Sequence, residues 1–142
     1  MLNIEIRTVP SRKQRYPTAG DYFEDPSGKA FILVCKLGTW EYEALVVLHE
    51  LTEYLLVKAS GVSLSAIDEF DKNFEEERDR GMHGPHDEPG DELDAPYYLQ
   101  HCAATGVERM AAALLRVNWR EYSHAIDGLV WDSGAKRGKK KK

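Results

Sequence analysis

The spacing of apolar residues predicts short strands at the start of the chain. Residues 2–9, LNIEIRTV, alternate between apolar and polar side chains, as in a strand with one buried face. Residues 29–37, KAFILVCKL, form a β-branched and aromatic run that predicts a second strand, buried on both sides. Residues 11–25 lie between these runs, contain Pro17 and Gly20, and are interpreted as irregular.

Helical patterns follow the strands. The first predicted helix runs from about Trp40 to Ser60, with Gly61 as its stop. The second, after a serine cap, covers residues 66–79, and the third covers about Ala95 to Val117. Residues 118–132 are compatible with a short final helix. The predicted fold is α+β, with a small N-terminal β-sheet of two or three strands packed with about three α-helices.

Length and charge indicate one domain with a basic tail. The 142 residues fit a single domain, predicted to span 1–132, followed by a disordered lysine-rich tail over 133–142. Six of the 19 basic residues lie in the last seven positions, so residues 1–135 hold 13 basic against 24 acidic groups. Such a body repels nucleic acid, which we expect to bind only through the tail, whereas it suits a cation.

The remaining composition favours a soluble protein of a reducing compartment. The two cysteines, Cys35 and Cys102, form no CxxC motif, and the N-terminus lacks the features of a signal peptide. No apolar stretch approaches the roughly 20 residues that span a bilayer. We therefore expect a cytoplasmic protein with no membrane partner, whose substrate, protein partner and oligomeric state stay open.

The first helix carries ionisable side chains among apolar ones. Its apolar residues lie on opposite sides of the axis, which is typical of a helix buried all round. His49 and Glu53 are four residues apart and therefore project from the same face. Because an ionised carboxylate buried without a partner is very costly, Glu53 needs a cation nearby.

The third helix repeats this arrangement. His101 and Glu108 are seven residues apart, or about 20° around the helix axis, with small residues beside them. If the two faces meet, two imidazoles and two carboxylates form a donor set suited to zinc or another divalent transition metal. We therefore predict His49, Glu53, His101 and Glu108 as metal ligands. A metal-free polar network, with Arg109 as a counter-ion, is the alternative.

A glutamate directly follows the first histidine. In the HExxH motif of metallopeptidases this glutamate activates the metal-bound water, so Glu50 is the candidate general base. The sequence here is HExxE, with Glu53 in the place of the second histidine. A metal site built on this helix would need His101, and perhaps Glu108, to complete it.

Further acidic groups follow in the second helix and in the long loop 81–94. Asp68 and Asp71 could face the same centre, although we interpret one as bonding to the backbone and the other as facing water. The loop could supply another ligand or cover a pocket, but the favoured interpretation is a solvated acidic loop. Its histidines and acids are His83, His86, Asp87, Glu88, Asp91, Glu92 and Asp94.

Seven motifs, in order, resemble an uncharacterised family of small proteins from phages and prophages. They are RYPTAGDY, HELTEYLL, IDEFDKNFE, DEPGDE, APYYLQH, HCAATGVER and NWREY, and the resemblance covers about residues 3–122. It implies the cytoplasm of the host cell as the location. The helix with His-Glu after a strand is also similar to zincin metallopeptidases, a similarity that implies His49 as a ligand and Glu50 as the base.

Three functional hypotheses follow. The first is a metal-binding phage-type protein, a zincin-like metal-dependent hydrolase with zinc as the favoured ion. The second is a non-enzymatic phage accessory or interaction protein in which the buried His and Glu side chains form a polar network. A role for the lysine tail as a nucleic-acid tether is a third hypothesis.

Overall fold

The computed structural model describes residues 1–129 and confirms the α+β class. Its elements are the strands β1 (Ile4–Val9), β2 (Gly20–Glu24) and β3 (Ala30–Cys35) and the helices α1 (Trp40–Ser60), α2 (Leu64–Asp79), α3 (Tyr98–Leu114) and α4 (Trp119–Asp127). Two short 3-10 turns cover Ser11–Lys13 and Pro89–Asp91. The predicted tail, residues 133–142, lies outside the described residues.

The three strands form one mixed sheet with β3 in the centre. β1 pairs with β3 in parallel, and β2 pairs with the other edge of β3 in the antiparallel direction. β2 falls in the segment interpreted as irregular, and that interpretation is wrong there. Gly20 and Asp21 are poor strand formers, but the ladder to β3 and the burial of Tyr22 opposite Ile32 outweigh local preference.

Helix α1 has the predicted bounds. The Thr39 hydroxyl accepts a hydrogen bond from the Tyr42 backbone N–H, and Gly61 ends the helix with a φ of 69°. The helix packs against β2, β3 and α3 but is not buried all round as predicted, since Trp40 is 65 % and Leu55 38 % exposed. Within residues 1–129, no helix combines the length and apolar content needed to cross a bilayer.

Helix α3 begins three residues later than predicted. The Ala95 N–H bonds to the Glu92 carbonyl and the Ala95 carbonyl accepts from Tyr98 N–H, so this stretch forms turns before the helix. α3 lies antiparallel to α1, because His49 contacts Glu108 while the later Glu53 contacts the earlier His101. This pairing brings the two predicted polar faces together.

Candidate metal centre

The buried faces of α1 and α3 bring three donor atoms into a triangle. His49 Nε2 lies 3.3 Å from His101 Nδ1 and 3.3 Å from Glu53 Oε2. The third side, from His101 Nδ1 to Glu53 Oε2, measures 2.9 Å. All three residues are buried, with exposed fractions of 9 % or less. The structure therefore contains a His/Glu/His group that can hold a metal ion.

The size of the triangle fits a small, four-coordinate cation. Zinc binds imidazole nitrogen and carboxylate oxygen at about 2.0–2.2 Å in tetrahedral geometry, which places two donors about 3.3 Å apart. Two sides of the triangle have this length, and the third is shorter by a few tenths of an ångström.

Glu108 does not join the triangle. Its Oε2 lies 2.7 Å from His49 Nδ1, the ring nitrogen that faces away from His101, and its Oε1 accepts a hydrogen bond from the Tyr122 hydroxyl. A carboxylate in this place fixes the orientation and tautomer of the imidazole. Glu108 thus holds the His49 ring through Nδ1, and the Tyr122 hydroxyl of α4 in turn holds Glu108 through a hydrogen bond.

Charge balance holds the triangle together. Burial alone would raise the pKa of Glu53, but hydrogen bonds from His101 and His49 lower it to about 2. The second oxygen of Glu53 accepts a hydrogen bond of 2.8 Å from the Tyr22 hydroxyl of β2. Glu53 is therefore an anion at neutral pH and has a hydrogen-bond partner at each oxygen.

The pKa values of the two imidazoles shift upward, opposite to the shift of Glu53. Burial disfavours their charged forms, but hydrogen bonds to Glu108 and Glu53 raise the pKa of His49 to about 11. Hydrogen bonds to Glu53 and Glu88 likewise raise the pKa of His101 to about 10. The centre thus attracts positive charge, which two protons or one divalent ion can supply.

Glu50 lies beside this group, between α1 and β2. A Cβ atom on Gly20 would come within 2.5 Å of Glu50 Cγ and 2.7 Å of its Oε1, so the side chain rests directly on the backbone of Gly20. Burial raises the pKa of Glu50 well above its ordinary value; the His49 charge opposes this shift and the Glu53 charge adds to it. Within residues 1–129, the carboxylate of Glu50 forms no hydrogen bond, although its backbone belongs to helix α1.

The long loop reaches the outer nitrogen of His101. Its Nε2 lies 3.2 Å from Glu88 Oε2 and 3.2 Å from Asp91 Oδ1. Gly90, between them, is buried against the imidazole. The acidic side chains of Glu88 and Asp91 are more than half exposed, as predicted for a solvated loop, but the turn also covers one side of His101.

A second buried carboxylate, Asp71 of α2, lies in the same cleft. It accepts hydrogen bonds from the hydroxyls of Tyr97, at 2.7 Å, and Tyr16, at 3.4 Å. Burial raises the pKa of Asp71 to about 7, and the tyrosine hydrogen bonds offset only part of that effect. Asp68 is 51 % exposed, in agreement with the interpretation that one of the two aspartates faces water. Asp71 bonds to tyrosine side chains rather than to the backbone, contrary to that interpretation.

A cleft of about 850 Å³ joins these groups. The triangle, Glu50, Asp71 and the turn 88–91 all line it, so a ligand in the cleft would reach both the donor triangle and Glu50. Sequence spacing identified His49, Glu53 and His101 as neighbours. It gave no sign of Tyr22 or Tyr122, because nothing in the sequence states which strand or helix lies opposite a buried carboxylate.

Comparisons with protein-family models, with curated proteins and with solved structures gave no match for this chain. The donor geometry and the chemistry of the cleft are accordingly what any functional conclusion rests on.

Proposed function

We propose that the protein is a zinc-dependent hydrolase with His49, Glu53 and His101 as the metal ligands. The observation that carries the proposal is the buried triangle of donors, with sides of 2.9 to 3.3 Å, open to a cleft of about 850 Å³. Zinc bound there would act as a Lewis acid and lower the pKa of a water molecule.

Glu50 is the general base in this proposal. Burial raises the pKa of Glu50, and the positive charge of a metal ion at the triangle would oppose that rise, as the charge of His49 does, and keep the carboxylate ionised so that it can accept a proton. The carboxylate forms no hydrogen bond within residues 1–129 and lines the cleft, so it is free to take a proton from a water molecule there. The Glu50 side chain packs against the backbone of Gly20, which restrains the position of the carboxylate.

The remaining groups orient the ligands. Glu108 receives the Nδ1 proton of His49 and keeps Nε2 free for the ion, and Tyr22 holds Glu53 through its other oxygen. Glu108 is thus a supporting residue here rather than the fourth ligand of the sequence prediction. The motif resemblance adds that the protein belongs among small phage and prophage proteins, active in the host cytoplasm.

Metal analysis of protein purified without a histidine tag tests the proposal. We expect one equivalent of zinc in the wild type, and loss of zinc in His49→Ala and His101→Ala but not in His124→Ala, an exposed histidine of α4. Glu50→Gln should keep its zinc and lose at least about 100-fold of any hydrolysis of quenched peptides or phosphodiesters. Less than about 0.1 equivalent after zinc addition would refute it.

One observation favours the alternative of a metal-free interaction protein. His101 Nδ1 and Glu53 Oε2, at 2.9 Å, already form a good hydrogen bond, so protonated imidazoles close the network without an ion. In that case His49→Ala and His101→Ala lower the thermal stability while the metal content stays at zero. Zinc stoichiometry therefore separates the two functions.

A further inference from the structure

We infer that Glu88 and Asp91 are positioning residues that hold the ring of His101 in the orientation the metal requires, and that Gly90 allows their turn to reach it. The inference rests on the proposed function and extends it to the loop. Three structural observations carry it.

The first observation is that both ring nitrogens of His101 face carboxylates. His101 Nδ1 faces Glu53, and Nε2 faces both Glu88 and Asp91 at 3.2 Å. The imidazole is only 6 % exposed, so these carboxylates are its partners on the outer side. A carboxylate that accepts the Nε2 proton leaves Nδ1 as the nitrogen available to an ion.

The second is the fit of Gly90 to the ring. A Cβ atom at this position would lie 2.4 Å from His101 Cγ and 2.5 Å from Nδ1, closer than real atoms approach. Gly90 is not among the residues with positive φ, so its backbone conformation does not demand glycine. The missing side chain is therefore explained by contact with the imidazole.

The third is the contrast with His49. The outer nitrogen of His49 is backed by Glu108, a buried residue on the neighbouring helix α3. The outer nitrogen of His101 is backed by two carboxylates on a surface turn, with side chains 55 % and 68 % exposed. Both carboxylates lie 3.2 Å from His101 Nε2, so we expect that either one alone can restrain the ring.

Zinc affinity in the full chain, measured by competition with a chelating dye, tests the role of Gly90. We expect Gly90→Ala to weaken zinc binding by about 100-fold, because the ring must turn away from the triangle. Gly106→Ala is the matched control, since a Cβ there meets nothing within 4 Å. Equal affinity in both variants would overturn the inference.

The two carboxylates should behave as substitutes for one another. We expect Glu88→Ala and Asp91→Ala to weaken zinc binding by less than about 3-fold each, but the double variant by about 10- to 100-fold. Glu88→Gln with Asp91→Asn keeps an acceptor and should recover most of the affinity. Glu69→Ala with Asp94→Ala, two exposed acids, controls for lost charge. Unchanged affinity in the double alanine variant contradicts the inference.

A readout without metal keeps the inference separate from the proposed function. In the metal-free protein we expect the Nε2 proton of His101 to be protected from exchange in NMR spectra, and to lose this protection in the double alanine variant only. A wild type that binds no zinc would end the proposed function but leave this result valid. A second equivalent of zinc that requires Glu88 and Asp91 would overturn the inference, because they would then be ligands.

Discussion

Glu53 and Asp71 are two buried carboxylates in one cleft, and they differ in their partners. Glu53 is 5 % exposed and faces two imidazoles and one tyrosine; its pKa falls to about 2. Asp71 is 6 % exposed and accepts hydrogen bonds from the hydroxyls of Tyr97 and Tyr16. Burial and the nearby negative charges of Glu53 and Asp68 raise its pKa to about 7. Burial of the two side chains is nearly equal, so it does not explain the difference.

The comparison shows what a cation adds to a buried acid. A tyrosine hydroxyl donates one hydrogen bond but no charge, so it offsets only part of the cost of taking a carboxylate out of water. An imidazolium donates the hydrogen bond and the charge together. Glu53 is therefore the position that binds positive charge, whereas Asp71 can give up its own charge near neutral pH.

Glu53→Gln should have the largest effect, because it removes the negative charge by which Glu53 differs from Asp71. The amide cannot balance two imidazolium groups or act as an anionic ligand, so we expect zinc affinity to fall by at least about 1000-fold. Unfolding of the metal-free variant in urea should show a loss of about 3 kcal/mol, the usual effect of leaving a buried charge without its partner. Zinc affinity within 10-fold of the wild type would show that Glu53 is not a ligand.

Folding stability of the metal-free protein and affinity for zinc should depend on pH in opposite directions. In the metal-free protein His49 and His101 have pKa values of about 11 and 10 against 6.5 in the unfolded chain, so their contribution to stability is complete below pH 6.5 and is lost as the pH rises towards 10. Zinc competes with these protons, so zinc affinity should increase over the same range.

Thermal unfolding between pH 6 and 9, with and without zinc, measures both dependences. The metal-free melting temperature should fall with rising pH while the stabilisation by zinc grows. Parallel curves in the two conditions would mean that zinc does not displace the imidazole protons.

The tyrosines that contact the two acids provide a smaller, matched comparison. Tyr22→Phe removes a hydrogen bond to the ionised Glu53, and we expect a loss of about 2 kcal/mol. Tyr97→Phe removes a bond of similar length to Asp71, whose charge is only partly present at pH 7, and should cost about 1 kcal/mol. Urea unfolding of both variants at pH 7 checks the order, and a larger loss in Tyr97→Phe would contradict it.

Asp71→Asn should have the smallest effect. The amide oxygen can still accept the hydrogen bond from Tyr97, and the amide nitrogen can donate one to the Tyr16 hydroxyl, without a charge. We therefore expect a stability change below about 1 kcal/mol at pH 5 and unchanged zinc affinity. Because the folded-state pKa is raised to about 7, wild type loses stability relative to this variant as the pH rises from about 4 to 7. Reduced zinc affinity would connect Asp71 to the metal centre.

The sequence predicted the features that depend on local spacing. Thr39 and Gly61 mark the ends of α1, and the i, i+4 spacing of His49 and Glu53 places both on one face. The same kind of spacing identified His101. Because a buried carboxylate needs a cation, the sequence also predicted that the polar faces of the two helices meet.

The features that depend on distant parts of the chain could not be predicted. β2 forms because β3 has a free edge, although the residues from Gly20 to Glu24 include poor strand formers. Glu108 contacts the outer nitrogen of His49, and periodicity gives the face of a residue but not which ring atom it meets. The turn at Gly90 packs directly against the His101 ring, and the amino-acid composition of the loop does not indicate this contact.

The antiparallel contact between α1 and α3 also joins two distant parts of the chain. Glu53 and His101 are 48 positions apart, and the segment between them includes all of α2 and the acidic loop. A protease that cuts in this segment would leave two fragments still joined through the imidazoles and carboxylates, and more firmly so with an ion between them. The centre thus works as a clasp for the fold, and its strength should be measurable as the survival of a nicked but assembled molecule.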